Sequence, residues 1–128
     1  MTIDHTGIRV PADKHGKVIA WYEAALAPLG YKIAMEFMNG NVIGFGDQPF
    51  KVDWWVTGTQ ETVNTSHHAF TAKDRATVDA FHTAAVEAGG KCNGPPGIRA
   101  HYHPNYYGAF VLDPAGNNIE VVCHAPDI

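Results

Sequence analysis

Two stretches of the chain carry the same alternation of apolar and polar positions. Residues 5–30, HTGIRVPADKHGKVIAWYEAALAPLG, lie over residues 67–90, HHAFTAKDRATVDAFHTAAVEAGG, with one short gap in the turn. His5 falls on His67, Ile8 on Phe70, Val18 on Val78, Trp21 on Phe81, Ala25 on Ala85 and Gly30 on Gly90. Each copy predicts a strand, then an amphipathic helix, then a glycine stop. The helical stripes are Val18, Trp21, Ala25 and Leu29 in one copy and Val78, Phe81 and Ala85 in the other, at the i, i+3, i+4 spacing of a buried face. Asp13 and Asp74 stand where N-caps are expected. Three strand-like runs follow each helix, at 31–37, 41–46 and 51–57 and then at 91–100, 106–112 and 117–123. The expected fold class is α+β: one domain over 1–128, built of two βαβββ modules at 1–57 and 66–128 with a polar linker at 58–65.

Alternation also sorts the strands by face, because successive side chains of a strand point to opposite sides. In NNIEVVC, Ile119, Val121 and Cys123 share the helix side, which leaves Glu120 on the other. The same division puts Ile8 and Val10, and Phe70 and Ala72, toward the helices and turns His5, Arg9 and His67 away. If the modules form one cup-shaped mixed sheet, that second face is its interior. A carboxylate among apolar neighbours is costly to bury unpaired. Two imidazoles and one carboxylate are a donor set that suits a divalent transition metal with positions left open. Against this stand hydrogen-bonded core histidines and a Glu120–Arg9 ion pair. The occurrence of the trio at matching positions of a repeat favours one divalent ion (zinc, nickel, cobalt, manganese or iron) held by His5, His67 and Glu120.

Composition narrows the partners. A formal net charge of −4 argues against nucleic acid or an anionic membrane as partner and leaves a small molecule as the expected one. Cys92 and Cys123 are too few for a disulfide framework and no N-terminal apolar run is present, so a cytoplasmic location is expected. Eight histidines are the compositional oddity. His101 and His103, in HYHPNYY, are candidate acid–base groups, and Tyr102, Tyr106 and Tyr107 are candidates to line the cup. His15, His82 and His124 are expected in solvent.

The openings DHTGIRV and HHAFTA, the ending LDPAGNNIEVV and the paired modules resemble the vicinal oxygen chelate superfamily, which includes glyoxalase I, bleomycin and fosfomycin resistance proteins and extradiol dioxygenases. The resemblance covers nearly the whole chain. It implies metal ligands on the first and last strand of each module, hence His5, His67 and Glu120, and commonly a homodimer. At the remaining ligand position alternation places Trp55 opposite Glu120, with Asp53 one pleat away, so the carboxylate of the glyoxalase pattern is missing. A two-His, one-Glu site resembles the dioxygenases, whose tyrosine is here Phe110. The expected function is therefore a glyoxalase-like, metal-dependent lyase or isomerase acting on vicinal oxygens. Ring cleavage and metal-free sequestration are the alternatives. His103, Tyr107 and His101 are the expected catalytic groups, and Arg9, Trp55, Tyr102, Tyr106 and Phe110 the expected substrate contacts.

Overall fold

The computed structural model describes residues 2–127. The first module runs β1 (Thr6–Pro11), α1 (His15–Leu26), β2 (Lys32–Phe37), β3 (Val42–Gly46) and β4 (Trp54–Thr59). The second runs β5 (His67–Thr71), α2 (Arg75–Glu87), β6 (Lys91–Ile98), β7 (Tyr107–Leu112) and β8 (Asn118–Cys123). The architecture is α+β, and both modules follow the expected order. Their strands form two four-stranded mixed sheets, β1-β4-β3-β2 and β5-β8-β7-β6, and not one continuous sheet. In each, the first strand pairs in parallel with the last and the other pairings are antiparallel. β1 and β5 are therefore edge strands.

Local chemistry moves some of the expected boundaries. β4 starts at Trp54 and continues to Thr59 because Gly58 and Thr59 still pair with Val10 and Pro11, two residues into the expected linker. Asp74 caps α2: its carboxylate accepts the Thr77 N–H at 2.8 Å and the Thr77 hydroxyl at 2.6 Å. Those bonds hold its pKa below the usual carboxylate value. Asp13 does not play this part for α1. It sits inside a 3-10 turn, Ala12–Lys14, and Lys14 takes the cap position without a side-chain bond. The 3-10 turn that follows α1 ends at Gly30, whose φ of 84° is the left-handed stop that glycine supplies without strain.

The helix-facing residues of both sheets meet in one core. Val18, Trp21, Tyr22, Ala25 and Leu26 of α1 pack with Val78, Phe81 and Ala85 of α2, with Ile8, Val10, Trp54 and Val56 from the first sheet and Val111, Ile119, Val121 and Cys123 from the second. Two buried hydrogen bonds cross between the modules: Trp21 Nε1–H donates to the Ala85 carbonyl at 2.8 Å, and the Tyr22 hydroxyl donates to Asp113 at 2.5 Å. Because both sheets turn their helix sides toward this shared core, their other faces look away from it. The interior imagined as one cup is divided between two outer faces of the chain.

Candidate functional site

The second sheet's outer face carries the site. Its last strand is set in place by the turn DPAGNN, residues 113–118, in which the buried Asp113 carboxylate accepts the Ala115 N–H, the Asn117 N–H and the Asn117 side-chain amide, each at 2.9 Å. Asn117 in turn accepts the Ser66 N–H at 3.0 Å, which brings the start of β5 beside β8. The resulting register sets Ala69 and Phe110 on either side of Glu120.

Glu120 is only 3 % exposed, and its carboxylate has two partners. Oε2 accepts the Tyr106 hydroxyl, and Oε1 lies 3.1 Å from His67 Nε2. The other imidazole nitrogen, Nδ1, lies 3.0 Å from the Asn118 carbonyl, which can only accept a proton. Nδ1 therefore carries a proton. Nε2 then faces the carboxylate oxygen either as the second N–H of a charged ring or as a lone pair, and the pairing is favourable only with a positive charge between or upon them. An extra proton on the ring satisfies it, and so does a metal ion. Two ligands at about 2.0–2.2 Å from one ion stand roughly 3 Å apart when mutually cis, so the observed 3.1 Å also matches a ligand pair. The Asn118 carbonyl supplies the outer hydrogen bond that fixes the tautomer of metal-bound histidines.

Aromatic groups flank this pair, whose His67 side stays half exposed. Phe110 stacks on His67 with ring centroids 6.2 Å apart, and Tyr102 packs on Tyr106 at 4.6 Å. Burial first, then the hydrogen bond to Glu120, raises the Tyr106 phenol well above its usual range, so near neutral pH it serves as a proton donor and not as a phenolate. His103 stands edge-on to Tyr106 at 5.5 Å and contacts His124, with 2.8 Å between Nε2 and Nδ1. The Asn105 N–H donates to His103 Nδ1, so the proton between the two rings belongs to His103 Nε2. His101 lies farther out, against Tyr102.

Several expected members stand elsewhere. Tyr107 begins β7 and has the parity of Ala109 and Val111, so it turns to α2, where its hydroxyl donates to Asp79 at 2.6 Å and Arg75 lies over its ring. Alternation thus makes Tyr106, one residue earlier, the phenol of the site. His5 precedes β1 and its Nδ1 lies 2.7 Å from Asp4, apart from His67 and Glu120. Among the described residues no three His, Cys, Asp or Glu side chains are grouped to hold a metal, so one chain brings two of the three expected ligands together. Trp55 stacks on Phe37 at 5.9 Å on the first sheet's outer face. Arg9 pairs with Glu61 at 2.7 Å, the structural alternative for that residue, and not with Glu120. His124, expected in solvent, is exposed but bonded to His103.

Asp53 departs from its expected facing because it precedes β4. Its Oδ2 accepts the Tyr31 hydroxyl at 2.8 Å, while Oδ1 is buried without a partner. It lines a cleft of about 570 Å³ at the start of β5, with Tyr31, Trp54, His67 and His68. Burial, outweighing the Tyr31 hydrogen bond, lifts its carboxyl above the usual value. A folded-state pKa above the unfolded one contributes stability at low pH that is lost as pH rises through the folded value. Asp53→Asn is therefore expected to raise the melting temperature relative to the parent above that range and to change it little below; parallel thermal melts at pH 4 and pH 8 check this.

The chain's similarities agree with this architecture. A family model described as the Glyoxalase/Bleomycin resistance protein/Dioxygenase superfamily matches residues 2–121. A glyoxalase/bleomycin resistance protein from Albidiferax ferrireducens T118 superposes with a TM-score of 0.73 at 24% identity, covering 94% of this chain and 98% of that one. A glyoxalase/bleomycin resistance protein/dioxygenase family enzyme from Burkholderia phytofirmans PsJN gives 0.72 at 17% identity, with 98% and 100% covered. A lactoylglutathione lyase from Agrobacterium tumefaciens gives 0.66 at 23% identity, with 95% and 92% covered. No curated protein matches the sequence.

Proposed function

The chain belongs to the Glyoxalase/Bleomycin resistance protein/Dioxygenase superfamily, and from that premise we propose that it is a divalent-metal-dependent lyase or isomerase acting on a small substrate with adjacent oxygens. The observation that carries this reading is His67 Nε2 set 3.1 Å from a buried carboxylate oxygen while Nδ1 meets the Asn118 carbonyl. His67 and Glu120 would hold the ion, and His5 would supply a third donor from a second copy of the chain. It directly precedes the edge strand β1, and its Nε2 makes no hydrogen bond among the described residues. When bound, such an ion supplies Lewis-acid polarisation of a carbonyl or enediolate oxygen. The remaining roles belong to the side chains. Tyr106 donates its proton toward Glu120 Oε2 and so governs how basic that oxygen is; Phe110 and Tyr102 keep water from one wall; the His103–His124 pair is a proton reservoir beside Tyr106.

Complementation between two defective chains tests the shared site. His5→Ala and Glu120→Ala homodimers should each lose metal. A purified heterodimer of the two retains one site whose ligands are all intact and should recover about half the metal per chain, by elemental analysis. Should the heterodimer stay empty while His82→Ala binds metal normally, the third ligand does not come from the partner. Hemithioacetals and related 2-oxo compounds are the first substrates to screen on the loaded protein.

Ring cleavage is the second reading, favoured by one observation: Tyr106 brings a phenol to Glu120, although Phe110 occupies the position where the dioxygenase pattern has tyrosine. Anaerobically loaded with Fe(II), the protein is expected neither to consume oxygen with catechols nor to form yellow ring-opened products. Sustained oxygen uptake, abolished in Tyr106→Phe, would put this reading first.

A further inference from the structure

The chain has three arginines, at 9, 75 and 99. Arg9 meets Glu61 and Arg75 meets Asp127, whereas among the described residues Arg99 has no carboxylate within ion-pair distance. Its guanidinium is nevertheless held firmly. Nη1 donates to the Gly97 carbonyl at 2.8 Å and Nη2 to the Pro95 carbonyl at 2.7 Å, while the Arg99 backbone N–H donates to Tyr106 O at 2.7 Å. A guanidinium has five N–H donors, so most of this group's capacity stays available in a fixed orientation. Neutral carbonyls orient the charge without neutralising it.

The position of that charge matters more than its lack of a partner. The guanidinium carbon lies 5.4 Å from the centroid of the Phe110 ring, the ring that also stacks on His67 and whose strand register sets it opposite Glu120. Sheet order places His67 on the β5 side of Phe110 and Arg99 on the β6 side. Gly94, opposite Phe110, keeps the space open: a Cβ there would fall 2.9 Å from the phenyl ring and 3.1 Å from Arg99 Nη2.

We propose that Arg99 is the receptor for a substrate carboxylate, and that the molecule bound across Phe110 is a small monoanionic organic acid with its reacting oxygens toward His67 and Glu120. The assignment rests on the reading of His67 and Glu120 given above and adds the class of substrate. A planar carboxylate matches the fork of a guanidinium in a bidentate contact, which a neutral carbonyl compound cannot reproduce. One unpaired cation beside a buried carboxylate, in a chain of net charge −4, suits a single negative charge better than a phosphate dianion.

Pyruvate and its uncharged counterpart methyl pyruvate are suitable probes, titrated into the full chain with and without added zinc while the Arg99 Nε–H resonance is followed by NMR. Pyruvate is expected to shift that resonance and to bind at least about tenfold more tightly than the ester, as loss of a charge-assisted bidentate contact implies. Arg99→Gln should bring pyruvate down to the level of the ester and leave the ester unchanged; Arg99→Lys, which keeps the charge and loses the fork, should fall between. The assignment is overturned if the two probes bind alike, if neither binds, or if Arg99→Gln leaves the preference intact. Zinc content of the parent and of Glu120→Ala, measured alongside, separates the two readings. Charge discrimination in protein whose zinc does not depend on Glu120 sinks the metal reading alone, whereas zinc held through Glu120 with no discrimination sinks the Arg99 assignment alone.

Discussion

Glu120→Ala is expected to abolish stoichiometric metal binding, leaving less than about a tenth of the parent's content after dialysis, and to lower the melting temperature of the metal-free protein as well. The two halves of this expectation come from one fact. Glu120 is a carboxylate only 3 % exposed, with the Tyr106 hydroxyl on one oxygen and His67 Nε2 3.1 Å from the other. With a cation in place the carboxylate is a ligand, and losing it removes one of the donors on which affinity depends. Without a cation it is still a buried acid with two partners, and its truncation leaves the Tyr106 hydroxyl and His67 without theirs, so the metal-free protein loses stability too. Loss of a carboxylate whose only task was to hold β5 against β8 would lower the melting temperature equally with and without added metal, whereas loss of a ligand also removes the rise that metal gives the parent. Tyr106→Phe keeps the ring packed against Tyr102 and removes only the hydroxyl, and is expected to weaken metal affinity or activity about 10–100-fold, the usual range for an outer partner of a ligand. Elemental analysis and paired thermal melts of apo and loaded protein decide between these outcomes.

What could be read from the sequence was what strand and helix periodicity determines. Ile119, Val121 and Cys123 against Glu120, and Phe70 against His67, are alternations of period two that a register slip would invert, and they place the His67–Glu120 pair correctly on one face of one sheet. Tyr107 shows the limit of the same reasoning. Near a strand start, one residue decides the facing, and the proton donor is Tyr106. Arg99 gave no signal because its placement depends on carbonyls of the Pro95–Gly97 stretch and on the irregular pairing of β6 with β7, neither of which has a period. The separation of His5 from its expected partners has a third cause. Periodicity says which face of each sheet is buried against a helix, but not whether two such units dock through their open faces or through their helix sides. That choice was made by contacts between the modules, among them Trp54 with Phe70 at 5.1 Å and Tyr31 with Phe70 at 5.6 Å.

Trp21→Ala should therefore be among the most damaging core substitutions, with an expected loss of about 3–5 kcal/mol in urea-unfolding free energy, the range for removing a large buried aromatic. Three effects of the substitution act together. Trp21 is 1 % exposed and packs edge-on against Tyr22 at 4.8 Å, so truncation opens a cavity at the meeting of the two helices. Its indole N–H is the donor to the Ala85 carbonyl, a buried hydrogen bond that is lost although the carbonyl keeps the Gly90 N–H at 2.9 Å. Gly90 offers no side chain to fill the gap, since a Cβ there would already lie 2.6 Å from the Trp21 nitrogen and 2.8 Å from the Ala85 oxygen. Trp21→Phe separates these terms: it keeps most of the packing and gives up the hydrogen bond, and should cost roughly 0.5–1.5 kcal/mol, the net contribution of one hydrogen bond whose acceptor keeps another donor. Far-ultraviolet circular dichroism and near-ultraviolet signals followed through the same urea titration should show one transition for the parent, because the two modules share a core. A loss below about 1 kcal/mol for Trp21→Ala, or separate transitions already present in the parent, would mean that the modules are stabilised independently. The docking through helix sides, which leaves both outer faces free for a second chain, would then lose its energetic basis.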